Sequence, residues 1–262
     1  MNTEQMQKRP IAVLDSGVGG LSVLRELVRL MPCEDFLFFG DEANAPYGTK
    51  SREEVCEITF RNVDYLVLKR NAKAVVVACN TATGTAVTPL RQAYPDLPII
   101  GIEPEIKSAA TMGGHPQVLV MATPLTLKQP KFLALRDRFT DCADFTLLPC
   151  PGLMELIESG HIHDTLLEHY LASLFSALDH RHFDAIVLGC THYPHIRQSI
   201  QAHFPYASIF DGCRGTAAET RRRLHAIGML SPDDTRGKIE YITSADNPDF
   251  AQTCRTLMGN DS

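Results

Sequence analysis

Short apolar runs alternate with amphipathic stretches along the whole chain. Runs of strand length occur at I-A-V-L-D (11–15), F-L-F-F-G (36–40), A-V-V-V-A-C (74–79), P-I-I-G-I (98–102), Q-V-L-V-M-A (117–122), A-I-V-L-G-C (185–190) and K-I-E-Y-I (238–242). They are nearly continuous in apolar residues and lack the polar alternation of a half-exposed strand, so they predict strands covered on both faces, as in parallel sheets. Between the first two runs, Leu21, Leu24, Leu27, Val28 and Met31 recur at helical spacing. Ser51 with Glu54 forms a capping box ahead of V-C-E-I-T-F-R-N-V-D-Y-L and marks a helix start. Further helices are predicted over 125–139, 164–180, 195–203, 214–228 and 248–258. Strand and helix alternate throughout, which predicts the α/β class, with open twisted sheets of the doubly wound kind. The segments around Cys79 and Cys190 share one pattern and suggest two related halves. No low-complexity linker separates them, and the first set of strands ends near residue 100.

Composition adds limits. The chain has 262 residues, 44% hydrophobic and 21% charged, which suits a packed core in one large domain or two smaller ones. The formal charge of −6 is spread along the chain, and the basic run Arg221-Arg222-Arg223 reads as the solvated face of a helix. No nucleic-acid partner is expected. The opening M-N-T-E-Q-M-Q-K-R-P has no apolar core for a translocation signal, and no run approaches the roughly 18 apolar residues of a membrane span. A cytoplasmic protein away from membranes is expected. Eight cysteines (33, 56, 79, 142, 150, 190, 213 and 254) contain no C-x-x-C pair, so a disulfide framework is not expected. Most read as small buried hydrophobes, with Cys33 and Cys254 open to replacement by serine.

Candidate chemistry gathers at strand ends. Ligands of open parallel sheets bind beyond the carboxyl ends of the strands, and three polar clusters fall there: D-S-G-V-G-G (15–20), C-N-T-A-T (79–83) and C-T-H (190–192). The first forms a tight turn before a helix. It either offers amides to an anion or lets strand and helix join closely; it lacks the Lys-Ser/Thr ending of a P-loop and the G-x-G-x-x-G spacing. Asp15 ends an apolar strand, where a carboxylate needs hydrogen bonds or a cleft. Cys190-x-His192-x-x-His195 has metal-like spacing, but Pro194 bends the chain between the histidines and no further ligand motif accompanies it; no metal is expected. His195 reads as an exposed residue at a helix start, and His192 as a neighbour of the Cys190 thiol. Asn80, Thr81 and Thr83 supply hydrogen-bonding groups beside Cys79, as Thr191 and His192 do beside Cys190. Each cysteine alone fits a buried core thiol. Two at equivalent strand ends fit acid/base work, in which one takes a proton from a carbon and the other returns one to the opposite face.

With these motifs in order, joined by F-G-D-E-A-N-A-P-Y-G-T-K-S (39–51), I-E-P (102–104) and L-G-C-T-H-Y-P (188–194), the chain resembles the cofactor-independent aspartate/glutamate racemases, glutamate racemase in particular, over nearly its whole length. The resemblance implies reversible interconversion of L- and D-glutamate, with D-glutamate destined for peptidoglycan, and no cofactor. It implies two similar α/β lobes with the substrate in the cleft between them. The first lobe spans 1–100 plus 212–262, and the second 101–211. Cys79 and Cys190 are implied as the facing acid/base thiols, with Asp15 assisting the former and His192 the latter. Asp15, Ser16, Tyr47, Gly48, Asn80, Thr81, Thr83, Thr191 and His192 match substrate-binding positions. Glu158 matches an acidic position on the Cys190 side, with Glu155 as its competitor. A homodimer is expected.

Departures from the family pattern occur at Glu42, Gly84 and the 121–127 stretch, none at the implied acid/base groups. The segment before Ile11 lacks the long amino-terminal extension of relatives that respond to a cell-wall precursor, and that control is not expected here. Racemisation of aspartate or another amino acid by the same two thiols is the nearest rival. A non-catalytic amino-acid-binding or thiol-sensing protein is the rival of another class.

Overall fold

A computed structural model describes residues 3–179 and 181–259. Its strands in chain order are β1 (Ile11–Asp15), β2 (Phe36–Gly40), β3 (Ala74–Val77), β4 (Ile99–Gly101), β5 (Gln117–Ala122), β6 (Asp144–Pro149), β7 (Ala185–Leu188), β8 (Ser208–Asp211) and β9 (Ile239–Thr243). The chain divides into two compact units, Met1–Ile102 with Cys213–Ser262, and Glu103–Gly212. The first holds a sheet of order β4-β3-β1-β2-β9 and the second a sheet of order β6-β5-β7-β8, every pairing parallel. This is the α/β architecture that the alternation predicts. The central strands β1, β2 and β3 are buried along their entire length, since helices cover both faces.

Two strands escape the sequence reading. β6 (D-F-T-L-L-P) and β8 (S-I-F-D) are the edges of the second sheet, and most of their residues are exposed or half-buried, so neither carries a continuous apolar run. The helix predicted over 125–139 is two helices, Pro124–Lys128 and Pro130–Asp137. Pro130 has no amide hydrogen and biases Gln129 to an extended backbone (φ −69°, ψ 132°), which ends the first helix. The helix predicted over 164–180 runs Thr165–Ser176, with the Asp164 carboxylate accepting from the Leu167 amide; position 180 lies outside the described residues. The capping box forms in full: Ser51 Oγ accepts from the Glu54 amide, and Glu54 accepts from the Ser51 amide. In the basic run, Arg222 and Arg223 pair with Glu219 on an open helix face.

Both sheets reverse direction in the same way. From β1 the chain steps outward to β2 and then returns to the other side of β1 as β3; from β5 it steps to β6 and returns as β7. Each reversal leaves the loops at the carboxyl ends of two adjacent strands diverging to opposite faces, which opens a crevice. Ala78 and Gly189 then extend these ladders by one bond, Ala78 N–H to Leu14 O (2.7 Å) and Gly189 N–H to Met121 O (2.7 Å). The next residues are Cys79 and Cys190.

Candidate active site

In the first unit, Asp15 is the last residue of β1 and is fully buried. Its Oδ2 accepts from the Gly20 amide at 2.9 Å and from the Gly17 amide at 3.4 Å. Two amides of the D-S-G-V-G-G turn are therefore spent on the chain's own carboxylate. The glycines also serve close joining: a Cβ on Gly20 would lie 2.8 Å from Asp15 Cβ and 3.0 Å from Ala78 Cβ.

Cys79 takes an extended backbone and caps the fourteen-residue helix Asn80–Ala93. Its sulfur sits at the positive end of that helix's aligned peptide dipoles, which favours a thiolate. The Cys79 thiol donates to Ser16 Oγ across 3.8 Å. Asn80 Oδ1 is buried with no hydrogen-bond partner in the first turn of the same helix. Thr81 is buried beside it. Thr83 differs, because its hydroxyl donates to Val77 O at 3.1 Å and its methyl packs against Gly101, tying the helix to β3 and β4.

Tyr47 belongs to the loop after β2. Its hydroxyl donates to Asp41 Oδ2 at 2.5 Å and accepts from Asn62 Nδ2 at 3.2 Å. Burial, then the Asp41 carboxylate, then Cys79 and Asp15 push this phenol far above its ordinary range, so it keeps its proton. Gly48 follows, half-buried.

In the second unit, Cys190 Sγ lies 3.6 Å from His192 Nδ1, and His192 Nε2 lies 2.9 Å from Glu158 Oε1. Glu158 ends the helix Leu153–Glu158, and of the two acidic candidates it is the one whose carboxylate reaches His192. Thr191 and His192 are buried. His195 is half-buried within the 3₁₀ turn Tyr193–Ile196, not exposed at a helix start, because Pro194 sets a tight turn before the helix Arg197–His203 begins. Behind Cys190, burial pushes the Cys150 thiol up to about 12, and burial with Cys150 and Cys190 nearby raises the Tyr193 phenol. Both keep their protons, which leaves Cys190 as the thiol of this cluster with a base beside it.

Among the described residues no group of three or more His, Cys, Asp and Glu side chains could hold a metal ion, and no helix is long and apolar enough to cross a membrane. Asp41 was not singled out from the sequence, although it follows F-L-F-F-G much as Asp15 closes I-A-V-L-D. Its partners Asn62 and Ser244 are remote in sequence and carry no signal of their own.

Residues 11–220 match the Asp/Glu/Hydantoin racemase family. A glutamate racemase of Clostridium novyi is 44% identical over 254 residues, 96% of this chain and 98% of that one. Glutamate racemase of Francisella tularensis, solved with D-glutamate, superposes with a TM-score of 0.83 at 25% identity, covering 96% of this chain and 94% of that one. The Escherichia coli glutamate racemase, solved with L-glutamate and the activator UDP-MurNAc-ala, gives 0.82 at 28% identity, with 93% and 92% covered. The chain belongs to the Asp/Glu/Hydantoin racemase family.

Proposed function

We propose that this racemase interconverts L- and D-glutamate, with Cys79 and Cys190 as the two acid/base groups and no cofactor. One thiolate removes the α-proton, and the other thiol delivers its own proton to the opposite face of the carbon. The roles reverse for the other enantiomer, so each turnover conserves protons. The observation that carries this reading is the equivalent placement of the two cysteines, each one residue beyond a ladder-extending amide at the reversal point of its sheet. Relatives solved with D-glutamate and with L-glutamate support the substrate.

The surroundings suit the reaction. His192, backed by Glu158, accepts the Cys190 proton, while the helix start and Ser16 serve Cys79. The orphaned Asn80 Oδ1 is an acceptor suited to the substrate ammonium. Removing a proton beside a carboxylate builds negative charge, and donors fixed in advance around that carboxylate stabilise it. Ser16, Thr81 and Thr191 supply hydroxyls. Tyr47 has its only proton committed to Asp41, so Tyr47 and Gly48 contribute through the main chain. Thr83, its proton directed to Val77, acts by holding the helix. The reading extends to a cytoplasmic homodimer that supplies D-glutamate for peptidoglycan.

Solvent deuterium incorporation at the α-carbon tests this. Exchange and racemisation of glutamate are expected in chelator-treated protein. Binding of glutamate without exchange, or activity on aspartate and none on glutamate, overturns the reading.

A further inference from the structure

The loop between β2 and the helix Arg52–Asp64 is built of two single 3₁₀ turns, Glu42–Asn44 and Tyr47–Thr49. Such turns have weak hydrogen-bond geometry and do not hold a position by themselves. Here one carboxylate gathers both turns. Asp41 is fully buried, and each of its oxygens takes two donors. Oδ1 accepts from Asn44 Nδ2 (2.8 Å) and Ser244 Oγ (2.6 Å), and Oδ2 from Tyr47 OH (2.5 Å) and Asn62 Nδ2 (2.7 Å). The Asp41 amide in turn donates to Asp15 O at 2.9 Å, which registers it against the end of β1. Both turns of the loop, the helix that follows and the segment after β9 thus converge on a single charge.

Hydrogen bonds to an ionised acceptor are shorter and roughly twice as strong as neutral ones, and a carboxylate with four donors has no remaining capacity for a ligand. Asp41 is therefore placed to act on the substrate only through what it holds. We propose that Asp41 is a positioning residue for glutamate binding, its carboxylate fixing where the Tyr47–Gly48 main chain meets a carboxylate of the substrate. This rests on the racemase reading above. Glu42 adds further ties, accepting from Thr243 Oγ1 at 2.7 Å and from Asn247 Nδ2 at 3.2 Å, and the Ala43 amide donates to Ser244 Oγ at 3.1 Å, so the loop is also fastened to β9 and the segment after it.

The test combines kinetics with amide hydrogen exchange on Asp41→Ala, Asp41→Asn and Ser244→Ala in the full chain. Asp41→Ala is expected to raise KM for both enantiomers about tenfold, with kcat changed less than about threefold, the pattern of lost binding that is uniform through the reaction. Exchange over residues 41–50 should quicken about tenfold while β2 and Arg52–Asp64 keep their protection, the pattern of a local opening. Asp41→Asn should recover much of the affinity, since Asn44 and Ser244 can each turn to accept from its new amide. Ser244→Ala removes one donor to Asp41 together with the acceptor of the Ala43 amide and should raise KM about threefold, a readout that stands even if Asp41→Ala does not fold. Unchanged exchange over 41–50 in the folded variants, or a loss confined to kcat, overturns the proposal. An unsubstituted protein that puts no deuterium into glutamate overturns the racemase reading instead, and the exchange measurement still decides whether Asp41 anchors the loop.

Discussion

His192 Nε2 stands 2.9 Å from Glu158 Oε1, and that contact leaves Nδ1 of the same ring as the atom 3.6 Å from the Cys190 thiol. With Nε2–H donated to the carboxylate, neutral His192 would present Nδ1 as an acceptor, and in the proposed mechanism the imidazolium formed on taking the Cys190 proton would be stabilised by Glu158. Glu158→Gln keeps a hydrogen-bonding group but removes the charge. We expect kcat to fall about tenfold to a hundredfold, part of the roughly 10²–10⁴ that a positioned base supplies. Because the equilibrium between enantiomers is fixed, kcat/KM must fall equally in both directions. Polarimetry from each enantiomer checks this, and an unaltered rate would remove Glu158 from the mechanism.

Replacing either strand-end cysteine should be far more damaging than replacing any other. Cys79→Ser and Cys190→Ser are each expected to lower racemisation by about 10³-fold or more, since a hydroxyl is a far weaker acid than a thiol at neutral pH. Cys142 is exposed, and Cys142→Ser should be silent. Cys254, open to serine on sequence grounds, is fully buried in the core of the first unit with Phe38 and Phe250. Cys254→Ser therefore buries a hydroxyl and should cost about 1–3 kcal/mol in urea unfolding while sparing kcat.

Gly20 faces the base of the Asp15 side chain with no room for a methyl group. Gly20→Ala is expected to cost about 1–3 kcal/mol of stability by overpacking, and to lower kcat by displacing Asp15. Paired urea melts and rate measurements would show both effects; a stable, fully active variant would show that neither the joint nor Asp15's exact placement matters.

Alkaline pH should loosen the fold. Burial raises the Cys150 and Cys254 thiols to about 12 in the folded chain, and the Tyr47 and Tyr193 phenols are raised as well. The unfolded chain loses these thiol protons near pH 8.5 and the phenol protons near pH 10. Above those values the unfolded state binds fewer protons than the folded one, so stability, complete at neutral pH, declines from about pH 9 toward 12, by up to about 1.4 kcal/mol per pH unit for each group. Urea melts at pH 7, 9 and 10 measure the slope, and Cys150→Ala should flatten it.

The strands that could be read from sequence are those whose runs are apolar because both faces are covered; β1, β2 and β5 begin and end where the runs do. β6 and β8 could not be read, because an edge strand borrows its pairing from a neighbour and needs no run of its own. The strand-end thiols were visible for a similar reason, as each interrupts a buried run with a reactive group. Asp41 stands in plain view in F-G-D-E-A-N-A-P-Y-G, with no local pattern that assigns it a role. Its meaning lies in Ser244, 203 residues away, and in a tyrosine whose hydroxyl turns from solvent to a buried charge. His195 differs from its sequence expectation because the tight turn that Pro194 imposes precedes the helix.

The pairing of β2 with β9, Phe36 to Ile239, closes the first sheet with the last strand of the chain. During synthesis from the amino terminus, one edge of that sheet stays open until residue 239 has left the ribosome, whereas the whole of Glu103–Gly212 is available well before. The inserted unit is therefore the first able to reach its native pairing on the nascent chain. A ribosome stalled short of β9 would hold a finished second unit beside a first whose unpaired strand invites aggregation.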